Sequence, residues 1–441
     1  MNYSKETNSL LRKRLRKQKR KTFILFIFGL LIGTSATYAV YYWYPILKKE
    51  FDLPELRQIT KTTASSKSIK PETSETSLKE TTTSSTVKEN SNAFSPRINV
   101  TDFKKEPAIY ETLTQNINQV INQQNVSGTI LAVKNNQVIL FNNYGKALDT
   151  SNDPLNSAYM IGSVQKLVTS FMLMTLIDKH EISLDTPLSD YYPDIPNSKE
   201  ITIDQMLSMT SGLTLSKKLD NSKSIEESVT YVKNNVTYIP QTKWNYSDVN
   251  FFLLATIIEK ITGKSYEDYF NETLKEPFDL NHTGFYNDVS NQTHLMPSYK
   301  FDSEGKIIET PIKIPTYKYI NELGTGNMYV SAPDLLTMIQ AIADGKLVSN
   351  NTIKETLKKK PVSYTNIYKA GLYDKKTFYR TRGAFGGYET NLIFSKDTSD
   401  VILFLGNSYE KDKTNLHLTE EIFKLITNYS PEKEANMEVN E

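Results

Sequence analysis

The sequence predicts an α+β fold: an antiparallel sheet formed from both ends of one long segment and flanked by helices, with a mainly helical lobe inserted between. Three observations predict it. Near residue 106 the segment opens with an amphipathic helix and two strand-like runs, and near residue 430 two strand-like runs and an amphipathic helix close it. The long middle reads as helix and loop. Two of its helices are apolar on nearly every side, which places them inside a globule rather than on its surface.

The opening helix carries Ile109, Leu113, Ile117, Val120 and Ile121 at helical spacing. Residues 126–133 and 138–143 follow as strands, and Lys134-Asn135-Asn136-Gln137 between them reads as a hairpin turn. At the far end 388–394 and 401–405 read as strands, and Leu418, Ile422, Leu425 and Ile426 mark the last helix. Between lie apolar helices over 164–177 and 251–261, with loops at 187–196, 210–216 and 311–326. No internal repeat is visible.

Flanking segments have other characters. Residues 1–21 form a basic tail of net charge +8, leaving the remaining residues at −6. Residues 22–44 are uncharged and end in Tyr41-Tyr42-Trp43-Tyr44. At about 1.5 Å per residue they span a bilayer, and the basic flank places the N-terminus in the cytoplasm and the rest outside. Small residues near Ala39 also allow a cleaved signal and a secreted product. Residues 45–105, rich in Ser, Thr, Lys and Glu, read as a disordered stalk, 106–430 as the folded domain, and 431–441 as a disordered tail.

Cysteine is absent, which excludes disulfides and thiolate-bound metals. His180, His282, His294 and His417 are scattered, so neither a metal nor a cofactor is expected. The mildly acidic bulk lacks a basic stripe, so nucleic acid is not an expected partner.

Three motifs carry chemistry. Ser163 and Lys166 lie three apart at the start of an apolar helix in which Lys166 is the one charge before Asp178. They share a face, and burial there disfavours the charged amine, so Lys166 is expected to have a lowered pKa and to activate Ser163. A helix-capping serine with an outward-reaching lysine is the other reading. The spacing alone is common, recurring at Ser85, Ser303, Ser408 and Ser430. Trp244-Asn245-Tyr246-Ser247-Asp248 precedes the second apolar helix, where a tyrosine beside a cation can relay protons. In Arg382-Gly383-Ala384-Phe385-Gly386-Gly387-Tyr388 the paired glycines suggest close approach of backbone to a ligand. The main-chain N–H groups of Ser163 and Gly387 are then the expected oxyanion hole, with Asp248, Gly386 and Tyr388 touching substrate. A plain glycine bulge is the other reading.

In order and spacing the chain resembles the serine β-lactamase and penicillin-binding-protein superfamily, in its class C-like branch, over about residues 107–428. The resemblance rests on Ser163-Val164-Gln165-Lys166, on Tyr246-Ser247-Asp248 in the place of Tyr-x-Asn, and on the glycine strand in the place of Lys/His-Thr/Ser-Gly. It implies a β-lactamase/transpeptidase-like fold and a covalent acyl-enzyme on Ser163, with Lys166 and Tyr246 as proton relays. Ala384 and Phe385 stand where the family has groups that hold a substrate carboxylate, and Asp248 replaces a neutral Asn. Such a pocket is expected to favour a cationic acyl donor. The Tyr-Ser-Asp form is similar to the teichoic-acid D-alanine esterase type. The expected function is a cell-surface hydrolase of D-alanyl esters, its partner a cell-wall polymer, teichoic acid or peptidoglycan. The alternatives are a D-alanyl-D-alanine carboxypeptidase, a class C-like β-lactamase, and a wall-binding pseudoenzyme.

Overall fold

The computed structural model describes residues 96–105, 107–147, 153–240, 244–286, 294–358, 367–411 and 414–429. The basic tail 1–21, the anchor 22–44 with Ala39, the stalk as far as 95 and the tail 431–441 lie outside the described residues. Among the described residues no helix is long and apolar enough to cross a membrane.

In chain order, helix α1 (Glu111–Asn122) leads into strands β1 (Gly128–Lys134) and β2 (Gln137–Tyr144). Asn135 and Asn136 take φ of 50° and 60°, the left-handed pair that a two-residue hairpin requires. After β3 (Ala158–Met160) come the helical elements α2 (Gln165–Asp178) and α3 (Ile203–Leu207), then β4 (Leu213–Thr214), α4 (Ile225–Asn235) and β5 (Thr237–Tyr238). Next are α5 (Val249–Thr262), α6 (Tyr266–Phe270), β6 (Gly284–Phe285), α7 (Thr316–Ile320), β7 (Met328–Ser331), α8 (Ala332–Ala343) and α9 (Asn350–Leu357). The chain then returns to the sheet through β8 (Tyr368–Lys369), β9 (Leu372–Asp374), β10 (Phe378–Phe385), β11 (Tyr388–Ser395) and β12 (Val401–Gly406), and α10 (Leu416–Asn428) follows.

The main sheet has the order β2-β1-β12-β11-β10-β9-β8. β1 and β12 pair antiparallel at its heart, Ile130 opposite Phe404 and Leu131 opposite Leu403. Side chains alternate across the pleat. Ile130, Ala132, Ile393, Ile402 and Phe404 meet Leu113, Ile117 and Ile121 of α1 and Leu418, Ile422 and Ile426 of α10. On the other face Leu131, Val133, Leu392, Leu403 and Leu405 join the larger core around α2 and α5. Both faces are covered, so these strands read as apolar runs rather than as a strict alternation.

Two expectations need correction. The stalk does not extend to 105, because Ile98 and Phe103 are buried. Arg97 also pairs with Asp344 and donates to the Asp397 carbonyl at 2.7 Å and to Thr398 Oγ1 at 3.1 Å. Ile98, Val100 and Phe103 at the end of a long polar segment were too few to show this in the composition. The apolar stripe of the first helix begins at Tyr110, which is buried, and not at Ile109, which is 57% exposed.

Candidate active site

Ser163 stands where β3 hands over to α2. The chain leaves β3 at Ile161, whose N–H donates to the Met328 carbonyl of β7 at 3.0 Å. It then turns through a short 3-10 helix, Gly162–Val164, before α2 begins. Gly162 has a φ of 51°, and a side chain there would strike the Ala384 nitrogen at 2.7 Å. Gln165 ties the turn down: it accepts from the Met328 N–H at 3.0 Å and donates to Asn327 Oδ1 at 2.9 Å.

One helical turn on, Lys166 is fully buried. Its ammonium donates to Ser163 Oγ at 2.8 Å and to the Thr325 carbonyl at 3.3 Å, and contacts Asp248 Oδ1 at 2.9 Å. Asp248 Oδ2 lies 3.0 Å from the Lys218 ammonium, and Lys218 in turn pairs with Glu322. Burial pulls the Lys166 pKa down, but the charge of Asp248 and the contact with Tyr246 outweigh it, leaving the amine above the ordinary lysine range. For Asp248 burial acts upward and is outweighed by Lys166 and Lys218, so the carboxyl falls well below the usual range.

This corrects the expectation of an uncharged amine. The Asp248 carboxylate beside Lys166 favours its ammonium form. Nor is Asp248 a free negative charge waiting for a cationic ligand, since both its oxygens face lysines.

Tyr246 belongs to the same cluster. The Lys166 ammonium lies 5.1 Å from its ring centroid. The ring is held edge-on by Trp244 at 6.2 Å and by Tyr368 at 5.9 Å, and Tyr373 packs on Tyr368 at 5.0 Å. The β8–β9 hairpin that supplies Tyr368 and Tyr373 docks against α2 through Gly371, whose added side chain would meet the Leu167 nitrogen at 2.5 Å.

Ser163, Lys166, Tyr246 and Asp248 are therefore brought together, while Gly386, Gly387 and Tyr388 are not. Gly386 and Gly387, with φ of 56° and 89°, are the two-residue turn joining β10 to β11, where Phe385 pairs with Tyr388. The nearest neighbours of added side chains there are Ile314 for Gly386, and Ile312 and Ser298 for Gly387. Turn chemistry, not ligand approach, explains the glycine pair. Tyr388 is buried, donates to the Met296 carbonyl at 2.7 Å, and lines a groove of about 690 Å³ beside Ile312, Ile314 and Tyr319.

The strand residues that do reach Ser163 come slightly earlier. A methyl at Gly383 would sit 1.9 Å from the Ile161 carbonyl oxygen and 2.7 Å from the Ser163 nitrogen. Ala384 pairs with Glu389 next to a two-residue turn. That makes it a non-hydrogen-bonded pair, so the Ala384 N–H points away from β11 toward the Gly162–Ser163 turn. Thr381, Gly383 and Phe385 share this face of β10. Arg380 and Arg382 lie on the opposite face and reach Glu420 and Glu389.

Sequence reasoning missed Lys218, Glu322 and Gly383. A lone glycine inside a strand was a usable signal for Gly383. Nothing local marks the other two, which are brought in by distant loops. Among the described residues no three His, Asp or Glu side chains are grouped as metal ligands.

Comparison with known proteins agrees with this architecture. The beta-lactamase family profile matches residues 113–424. The chain is similar to the teichoic acid D-alanine hydrolase of Staphylococcus aureus, 28% identical over 306 residues, covering 68% of this chain and 75% of that protein. It is also similar to the putative penicillin-binding protein PbpX of Bacillus subtilis, 27% identical over 71% of this chain and 78% of that one. Among solved structures, FmtA from Staphylococcus aureus superposes with a TM-score of 0.62 at 24% identity, covering 74% of this chain and 90% of that one. The D-amino acid amidase of Ochrobactrum anthropi SV3 gives 0.59 at 17% identity, covering 75% and 100%. These two share the fold. The chain belongs to the beta-lactamase family and is a serine hydrolase of the β-lactamase and penicillin-binding-protein superfamily.

Proposed function

We propose that the protein removes D-alanyl esters from teichoic acids at the cell surface, through an acyl-enzyme on Ser163. The observation that carries the catalytic part is the 2.8 Å contact between Ser163 Oγ and a fully buried Lys166 ammonium, beside the Tyr246 ring. The reaction starts from the minor form in which Lys166 has shed its proton. Ser163 Oγ attacks the ester carbonyl carbon, and its proton passes to Lys166. The main-chain N–H groups of Ser163 and Ala384 receive the oxyanion. Tyr246 passes a proton to the departing polymer oxygen as the C–O bond breaks and takes the proton held on Lys166 in its place. Water then attacks the acyl-enzyme along the same relay, releasing D-alanine and returning the proton to Ser163.

The substrate reading is supported by the face of β10. Thr381, Gly383 and Phe385 share the face of β10 that approaches Ser163 at Gly383, and none is cationic, whereas Arg380 and Arg382 are engaged on the other side. A free carboxylate finds no partner on this strand. A D-alanyl ester has an ammonium and no carboxylate, and the relative named for teichoic acid D-alanine hydrolysis points the same way. An anchor over residues 22–44 would hold the domain outside the membrane.

The deciding experiment measures D-alanine release from purified lipoteichoic acid by the wild-type domain beside Ser163→Ala. Release that depends on Ser163 supports the reading. Cleavage of D-alanyl-D-alanine peptides and rapid labelling by fluorescent penicillin, without release from the polymer, would replace it with the carboxypeptidase. If intact mass shows no acyl adduct with any donor, the chain is a scaffold. Protease shaving of intact cells tests the outward placement of the domain.

A further inference from the structure

Four charged side chains from four separate parts of the chain stand in a row: Glu322, Lys218, Asp248 and Lys166. Glu322 follows α7, Lys218 lies in the loop after β4, Asp248 immediately precedes α5 and Lys166 opens α2. The signs alternate. Glu322 contacts Lys218, Lys218 lies 3.0 Å from Asp248 Oδ2, and Asp248 Oδ1 lies 2.9 Å from Lys166. Thr325 closes the loop, donating to Glu322 at 2.7 Å while its carbonyl accepts from Lys166 at 3.3 Å. Exposure is 17% at Glu322, 38% at Lys218, 34% at Asp248 and nothing at Lys166, so the row ends in the interior. Leu215, Val249 and Phe252 wall Lys218 and Asp248 on one side, and water reaches the rest of both side chains and screens them in part.

We infer that Lys218 and Glu322 are positioning residues that set how firmly Asp248 holds the proton on Lys166, and thereby the pH range in which Ser163 is activated. The inference rests on the proposed role of Lys166 as the base for Ser163. Facing Lys166 alone, Asp248 would apply its whole field to one ammonium. Lys218 occupies the second oxygen and draws off part of that field, and Glu322 limits how much Lys218 can draw. Tyr246 is the other titratable group in contact with Lys166. Tyr368 and Tyr373 lie behind it, and Arg380 and Arg382 act on Tyr373. All of these stay unchanged in the variants below.

The two partners therefore act with opposite sign. The test is the pH profile of kcat/KM of the full chain with p-nitrophenyl acetate, a small neutral ester. Lys218→Met is expected to move the rising limb to higher pH by about one unit, a tenfold loss at a fixed pH below the limb. Glu322→Gln is expected to move it down and raise the rate at that pH. Lys218→Arg should restore the wild-type profile. A limb that stays put, or moves the same way in both variants, overturns the inference. If Lys218→Met does not fold, the downward shift in Glu322→Gln still decides. Hydrolysis that survives Ser163→Ala would instead remove the catalytic reading, a result independent of where the limb lies.

Discussion

At the residue scale, the site depends on a carboxylate standing where burial alone would have neutralised an amine. With Asp248 present, the folded pKa of Lys166 is raised. Its contribution to stability is therefore complete below the ordinary lysine range and is lost only as pH climbs through the folded value. Asp248→Asn leaves a buried ammonium without its counter-charge. Urea melts at pH 7 should show a loss of about 3–5 kcal/mol, and the limb of kcat/KM should drop by more than a unit. Gly383 is a second single-residue dependence. Gly383→Ala drives a methyl into the Ile161 carbonyl and should abolish Ser163 labelling by a fluorophosphonate. Gly263→Ala, at a helix end with nothing within 4 Å, should cost only about 1 kcal/mol for its left-handed backbone. Ser163, Lys166 and Tyr246 could be read from sequence because helical spacing and a loop–helix junction are local patterns. The protonation of Lys166 could not, because it depends on a residue 82 positions away whose direction only the fold settles.

At the scale of elements, the strands and helices at the two ends were legible from periodicity, and the Asn135-Asn136 hairpin from its turn residues. The β8–β9 hairpin was not. Its strands are two and three residues long and carry Lys369 and Asp374, so no apolar pattern announces them. Yet this hairpin positions Tyr368 and Tyr373 behind Tyr246. A buried ion pair fastens it: Lys369 contacts Asp204 of α3 and donates to Ser208 Oγ at 2.9 Å. Lys369→Met should destabilise the domain by about 3–5 kcal/mol in urea melts. Pairing it with Asp204→Leu should recover much of that loss, because two apolar groups then replace two charges. The Gly386-Gly387 turn was misread because glycine serves both tight turns and close approaches, and sequence alone does not say which. Replacement by Asn-Gly should be tolerated and by Ala-Ala should not, as thermal melts would report.

At the scale of the whole molecule, the antiparallel sheet with an inserted helical lobe was legible in outline, since both ends of the segment carry strands. What escaped was the small sheet β3-β7-β6 beneath Ser163, because its strands run from two to four residues. Charge also acts at this scale. Residues 22–441 carry a net −6, which opposes the approach of a polyphosphate chain. Added salt screens that repulsion. D-alanine release from lipoteichoic acid should therefore speed up between low and physiological ionic strength, whereas hydrolysis of a neutral ester should change little.

The pairing of β1 with β12 bears on when activity can first arise. Ser163 and Lys166 leave the ribosome more than two hundred residues before Gly383 and Ala384, the strand that completes their surroundings. A chain emerging from its N-terminus thus carries Ser163 without the Ala384 N–H beside it until β10 to β12 have emerged and the first strand has found the last. Such long-range closure is slow. It also delays any chemistry at Ser163 until the whole domain has emerged.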